Sequence, residues 1–128
     1  MKRLVIPASA QTPAIDFDHT TGIMNISGRA YMQKIIDFYD PVIKWVDEYV
    51  EQPHHTTAFH LKMEYINSAS SMIVANILKK LWSLKESGKE VIIYWHHQGE
   101  EDDMIDIGQE MEMLLSIRMN YVLYSAEQ

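Results

Sequence analysis

Hydrophobic residues recur along this chain with two periods, and the change from one to the other marks out its elements. Phe59, Leu61, Met63 and Tyr65 alternate with His60, Lys62 and Glu64, so Thr57 to Ile66 predicts a strand with one buried and one wet face. Residues 68–86 repeat at three- and four-residue steps. Ile73, Ile77, Leu81 and Leu84 form a stripe flanked by Val74, Leu78 and Trp82, which is helical spacing, and Ser87-Gly88 is a stop signal. Upstream, Ile35, Phe38, Tyr39, Val42, Trp45, Val46, Tyr49 and Val50 follow the same steps. Pro41 interrupts them, and Asp40-Pro41 suits an N-cap followed by a first helical residue, so a kink or two consecutive helices are expected. Val91 to Trp95 is apolar on both faces and predicts a central strand. Ile107, Met111, Leu114 and Leu115 predict the apolar side of a last helix opened by Asp102 or Asp103. Tyr121 to Tyr124 predicts a last short strand.

The first thirty residues read differently. Leu4 to Ile6 suits a short edge strand. Ala14 to Phe17 and Ile23 to Ile26 flank Asp18-His19-Thr20-Thr21-Gly22, whose turn-forming residues predict a hairpin, with Ser27-Gly28 ending it. The order is β-β-β-α-(α)-β-α-β-α-β. Strict alternation in the later half implies right-handed crossovers and parallel strands, and the hairpin adds antiparallel ones. The expected fold class is α/β: a mixed β-sheet with an N-terminal hairpin and helices mainly on one face.

The chain shows no repeat, low-complexity tract or linker, and its 128 residues suit a single domain over 1–128. A chain of this size buries roughly two thirds of its unfolded surface and needs no disulfide or metal staple. The absence of cysteine excludes a disulfide scaffold, a thiolate-bound metal and a cysteine nucleophile. The opening Met1-Lys2-Arg3-Leu4-Val5-Ile6-Pro7 has an apolar run too short for a signal peptide. No stretch approaches the ~18 apolar residues of a membrane span, so a cytoplasmic protein with no membrane partner is expected. A net charge of -7, from 18 acids against 11 bases, argues against a nucleic-acid partner.

Two segments carry candidate chemistry. Asn67, Ser68, Ser70 and Ser71 cluster where the Thr57 strand meets the next helix. Such residues cap helix starts, and the same place suits an anion or a phosphorylated hydroxyl. The two readings are compatible. Glu100, Glu101, Asp102 and Asp103, followed by Asp106, precede the last helix and complement its dipole. Both loops leave carboxyl ends of strands, so they lie near each other if those strands are neighbours. A phosphate on Ser68 would then face acids. Histidines occur at His19, His54-His55, His60 and His96-His97, without ligand spacing on a helix. His96 and His97, adjacent on a strand, point to opposite faces, so no metal site and no cofactor are expected. Glycine-rich nucleotide loops and hydrolase motifs are absent. Met32, Met72 and Met104 each lie near a helix start, where an exposed methionine suits an adaptable interface.

Four ordered stretches carry a resemblance to a known family. Thr12-Pro13-Ala14-Ile15, Phe38-Tyr39-Asp40-Pro41-Val42-Ile43-Lys44-Trp45, Glu64-Tyr65-Ile66-Asn67-Ser68-Ala69-Ser70-Ser71, and Glu100-Glu101-Asp102-Asp103-Met104 with Gly108 resemble motifs of the SiaC family of bacterial regulatory phosphoproteins. The resemblance implies a STAS-like fold and a non-enzymatic partner switch. It implies phosphorylation at Ser68 by a dedicated kinase, removal of the phosphate by a phosphatase, and a switch loop of Asn67, Ala69, Ser70 and Ser71. It also implies that the unphosphorylated form binds and activates a diguanylate cyclase or regulates another signalling protein, linking it to cyclic di-GMP and biofilm control. This chain departs from the family in four places. Ser68 stands for a threonine, Ala69 for a serine, Met72 for a frequent lysine, and Tyr31-Met32-Gln33-Lys34 for a P-E-N segment. Two alternatives remain beside the switch: a constitutive binding module with a decayed switch, and a small metal-dependent enzyme using the acidic loop.

Overall fold

A glycine makes the first hairpin possible. Gly22 takes φ +75°, and a Cβ there would overlap the carbonyl oxygen of Thr56. The Gly22 amide donates to the Asp18 carbonyl at 3.0 Å, and the Asp18 carboxylate accepts from the Thr20 amide and hydroxyl. The computed structural model describes residues 1–125. Its strands are β1 (Leu4–Ile6), β2 (Ala14–Asp18), β3 (Ile23–Ala30), β4 (Thr56–Ile66), β5 (Glu90–His97) and β6 (Asn120–Leu123). Its α-helices are α1 (Ile35–Tyr49), α2 (Ser68–Trp82) and α3 (Asp103–Leu115), with a 3₁₀ turn at Ser83–Ser87.

The six strands form one sheet in chain order. β1, β2 and β3 pair antiparallel, while β3 through β6 run parallel and are joined through the three helices. The sheet is therefore mixed, as its pattern predicts. Phe17, Met24, Phe59 and Ile93 lie in register across it and are fully buried beneath the helices. The opposite row, Asp16, Asn25, His60 and Tyr94, is left outside them. Period-two alternation puts these two sets on opposite faces, so the polar face expected for β4 is present.

Three expectations change. Residues 35–49 form one helix that includes Pro41 rather than two consecutive helices. Pro41 is exposed, so its missing amide falls on the solvent side. The buried stripe of Tyr39, Val42, Trp45, Val46 and Tyr49 continues across it, and the Trp45 indole donates to the Lys2 carbonyl at 2.6 Å. The hairpin pairing does close at Ser27, opposite Ala14, but the strand itself runs on beyond the expected Ile26, paired with β4. β3 continues to Ala30, because Gly28 at φ +112° allows the strand to shift register between Gly28 and Arg29. On α3 the buried residues are Met104, Gly108 and Met111, whereas Leu114 is 74% exposed. Met111 is buried and Ile107 and Leu115 pack against the core as expected, so only Leu114 departs, and the stripe is centred on a glycine, which hydrophobicity does not register.

Candidate functional site

The start of α2 is organised by Asn67. Its side-chain Oδ1 accepts from the Ser70 amide at 2.9 Å, capping the helix. Its Nδ2 donates to the Met32 carbonyl at 2.9 Å. Its backbone amide donates to the Ala30 carbonyl at 3.0 Å, and its carbonyl accepts from the Ser71 amide at 2.9 Å. Since Asn67 does the capping, Ser68 is the first residue of the helix and stands exposed. Ala69 and Ser71 are half-buried. Ser70 is fully buried, with its hydroxyl directed to the Met32 sulfur at 3.8 Å. The buried Tyr39 hydroxyl is close enough to Ser70 to feel it but makes no well-formed hydrogen bond. Burial pushes the Tyr39 pKa up, and Ser70 acts in the opposite direction.

Ser68 opens onto a groove of about 400 Å³ between α2 and α3. Ile66, Met72 and Ala75 form one apolar wall, and Ile107, Met111 and Leu114 form the other. Its acids are Asp106 and Glu110, and no lysine or arginine is among its lining residues. The run Glu100, Glu101, Asp102 and Asp103 does not line it. Asp102 instead caps α3, accepting from the Met104 amide at 3.0 Å and from the Gln98 amide at 2.8 Å. The acids that share the groove with Ser68 thus lie further along α3, one turn apart. Of the three methionines, Met72 is 74% exposed at the groove, while Met32 and Met104 are 7% and 2% exposed and belong to the core. The outward turn of Leu114, with Met72 opposite, gives the groove its apolar character.

The histidines form a second cluster, on the uncovered face of the sheet. His60 Nδ1 and His96 Nε2 are 3.1 Å apart, and the His60 ring stacks on Tyr94 with centroids 4.5 Å apart. Burial lowers the pKa of His60. It also lowers that of His96, which nearby His60, Lys62 and His97 depress further. His97 bonds instead to the Gly99 carbonyl. Among the described residues no three His, Asp or Glu side chains converge as metal ligands. Sequence spacing missed the His60–His96 contact because it crosses strands. The available signal was that both residues sit at polar positions of adjacent strands.

The fold is thus a six-stranded mixed sheet with one polar face, and Ser68 stands at a helix start beside an apolar and acidic groove. The chain belongs to the SiaC family: the sequence profile described as SiaC family regulatory phosphoprotein matches residues 6–124. It is 26% identical over 110 residues to an uncharacterised protein of Pseudomonas aeruginosa strain UCBPP-PA14, a match spanning 86% of this chain and 87% of that protein. Its fold is similar to that of apo-SiaC from Pseudomonas aeruginosa, with a TM-score of 0.85 at 24% identity over 95% of this chain and 99% of that one. It is equally similar, at TM-score 0.85 and 23% identity over 94% of this chain and 99% of that one, to SiaC in the structure of the diguanylate cyclase SiaD with its activator SiaC. Among the described residues no helix is long and apolar enough to cross a membrane.

Proposed function

We propose that this protein is a single-domain, non-enzymatic partner switch of the cytoplasm. Its unphosphorylated form binds and activates a diguanylate cyclase, and phosphorylation of Ser68 ends that state. The observation that carries this reading is the exposed Ser68 hydroxyl at the first position of α2, left free because Asn67 supplies the cap. The relative in which SiaC activates SiaD supports the choice of partner. In the forward step the Ser68 oxygen bonds to the γ-phosphorus of ATP, and the bond to the bridging oxygen breaks so that ADP leaves. The hydroxyl proton passes to a base of the kinase. A phosphatase returns the hydroxyl and inorganic phosphate by hydrolysis. The added charge of about -1.5 to -2 falls where the groove already holds Asp106 and Glu110.

Incubation with a serine/threonine kinase of the same organism and ATP, read by intact mass, tests the acceptor. One phosphate is expected on the wild type and none on Ser68→Ala; equal uptake by both would move the acceptor elsewhere. Cyclase activity is then assayed with each form, and activation by the unphosphorylated form alone is expected. Equal activation by both forms would favour a constitutive binding module, the reading to which Ala69 and the exposed Met72 point.

A further inference from the structure

We propose that Asn67 is a positioning residue that reads phosphorylation of Ser68 and passes it to the connection between β3 and α1. A phosphate on Ser68 takes the Ser70 amide from Asn67 Oδ1, and the displaced side chain releases the Met32 carbonyl. The inference rests on phosphorylation at Ser68 and assigns its structural output.

A phosphate usually finds a lysine or arginine, but the groove beside Ser68 offers none and presents Asp106 and Glu110. The start of α2 itself offers positive potential, because backbone amides and the helix dipole there favour an anion. The Ser70 amide is one of these donors, and it is held by a neutral amide oxygen at 2.9 Å. A doubly charged phosphate is the stronger acceptor, and one N–H cannot serve both fully.

Asn67 holds two segments of the chain together. Both ends of its side chain are engaged: Oδ1 by the helix it caps, Nδ2 by Met32, 35 residues earlier in the chain. Moving one end moves the other. Beneath them, the Ser70 hydroxyl has only the Met32 sulfur at 3.8 Å, and the adjacent Tyr39 hydroxyl is buried without a partner. A shifted Ser70 therefore has a new partner within the core, which favours a second arrangement.

Tyr31, next to Met32, stacks on Tyr65 with ring centroids 4.4 Å apart, and both rings are exposed. Tyr65 lies two residues before Asn67. The stack spans the two segments that Asn67 ties together, so release of Met32 loosens it.

The test uses the full chain with phosphoserine installed at position 68 during translation, which removes any dependence on the kinase. Amide and side-chain NMR spectra are compared with those of the unmodified chain. The expected result is a downfield shift of the Ser70 amide, loss of slow exchange at the Asn67 Nδ2 protons, and shifts that reach Met32 and Tyr31. Shifts confined to residues 68–71, with the Asn67 side chain and Met32 unmoved, would overturn the proposal. Asn67→Asp supplies the second arm, because it keeps an oxygen for the Ser70 amide and loses the donor to Met32. In folded, unmodified protein it is expected to shift Tyr31 and Met32 by itself, and their staying in place would also overturn the coupling. Failure of a kinase to modify Ser68 in the earlier experiment would count against the acceptor assignment and leave this result standing.

Discussion

Trp95 of β5 and Gly108 of α3 meet so closely that a Cβ on Gly108 would lie 2.8 Å from the indole Nε1 and 3.0 Å from Cδ1 and Cε2. The ring is fully buried, and its Nε1 donates to the Met104 carbonyl at 2.6 Å, so it has little room to retreat. Gly108→Ala gains up to about 1 kcal/mol of helix propensity and meets an overpacking cost of about 1–3 kcal/mol. A net loss of stability is expected. Urea unfolding measures it, and an unchanged or higher midpoint would mean that the ring gives way.

Asn67 and Ser68 are neighbours with opposite structural weight. Asn67→Ala removes the α2 cap and the bond to Met32, with an expected cost of about 1–2 kcal/mol. Ser68→Ala changes an exposed position and is expected to stay within about 0.5 kcal/mol of wild type. Chemical denaturation of the two variants side by side separates the framework of the switch from its proposed acceptor.

The His60–His96 pair makes stability depend on pH. Both imidazoles have pKa values lowered by burial, so the folded state takes up their protons less readily than the unfolded chain does. Their contribution is fully present above the unfolded value of about 6.5 and is lost as pH falls through the lower folded values. Denaturation midpoints are expected to drop on acidification across this window, and to drop less in His60→Gln. Equal drops in both proteins would remove the pair as the cause.

Met72 tests the groove without touching the fold. At 74% exposure, Met72→Asp is expected to leave stability within about 0.5 kcal/mol. It places a charge on the apolar wall beside Ser68, so cyclase binding measured by calorimetry is expected to weaken at least several-fold. Unchanged binding in the folded variant would place the partner on another surface.

Local pattern was enough for most of the elements. The alternation along β4 and the helical stripe of α2 were legible because each residue's burial follows its position within its own element. Pro41 does not divide its helix in two, because it lies on the exposed side, and which side that is depends on what packs beneath. Leu114 was misplaced because Gly108, an apolar position with no side chain, sits at the centre of the buried stripe of α3. The acidic run drew attention by its density. Asp102 serves as a cap, and the acids that share a groove with Ser68 are Asp106 and Glu110 on the following helix, where two helices pack.

The order of strands and helices, the mixed sheet with a polar face and the serine at a helix start follow from residue type and spacing alone, since they need only neighbours along the chain. Contacts between distant segments waited for the tertiary structure. Asn67 reaches Met32, His60 reaches His96, and Ser68 shares a groove with Asp106 and Glu110 only because the sheet and its helices bring them together. Periodicity reports which way a side chain points within its own element, whereas packing alone decides what it meets there.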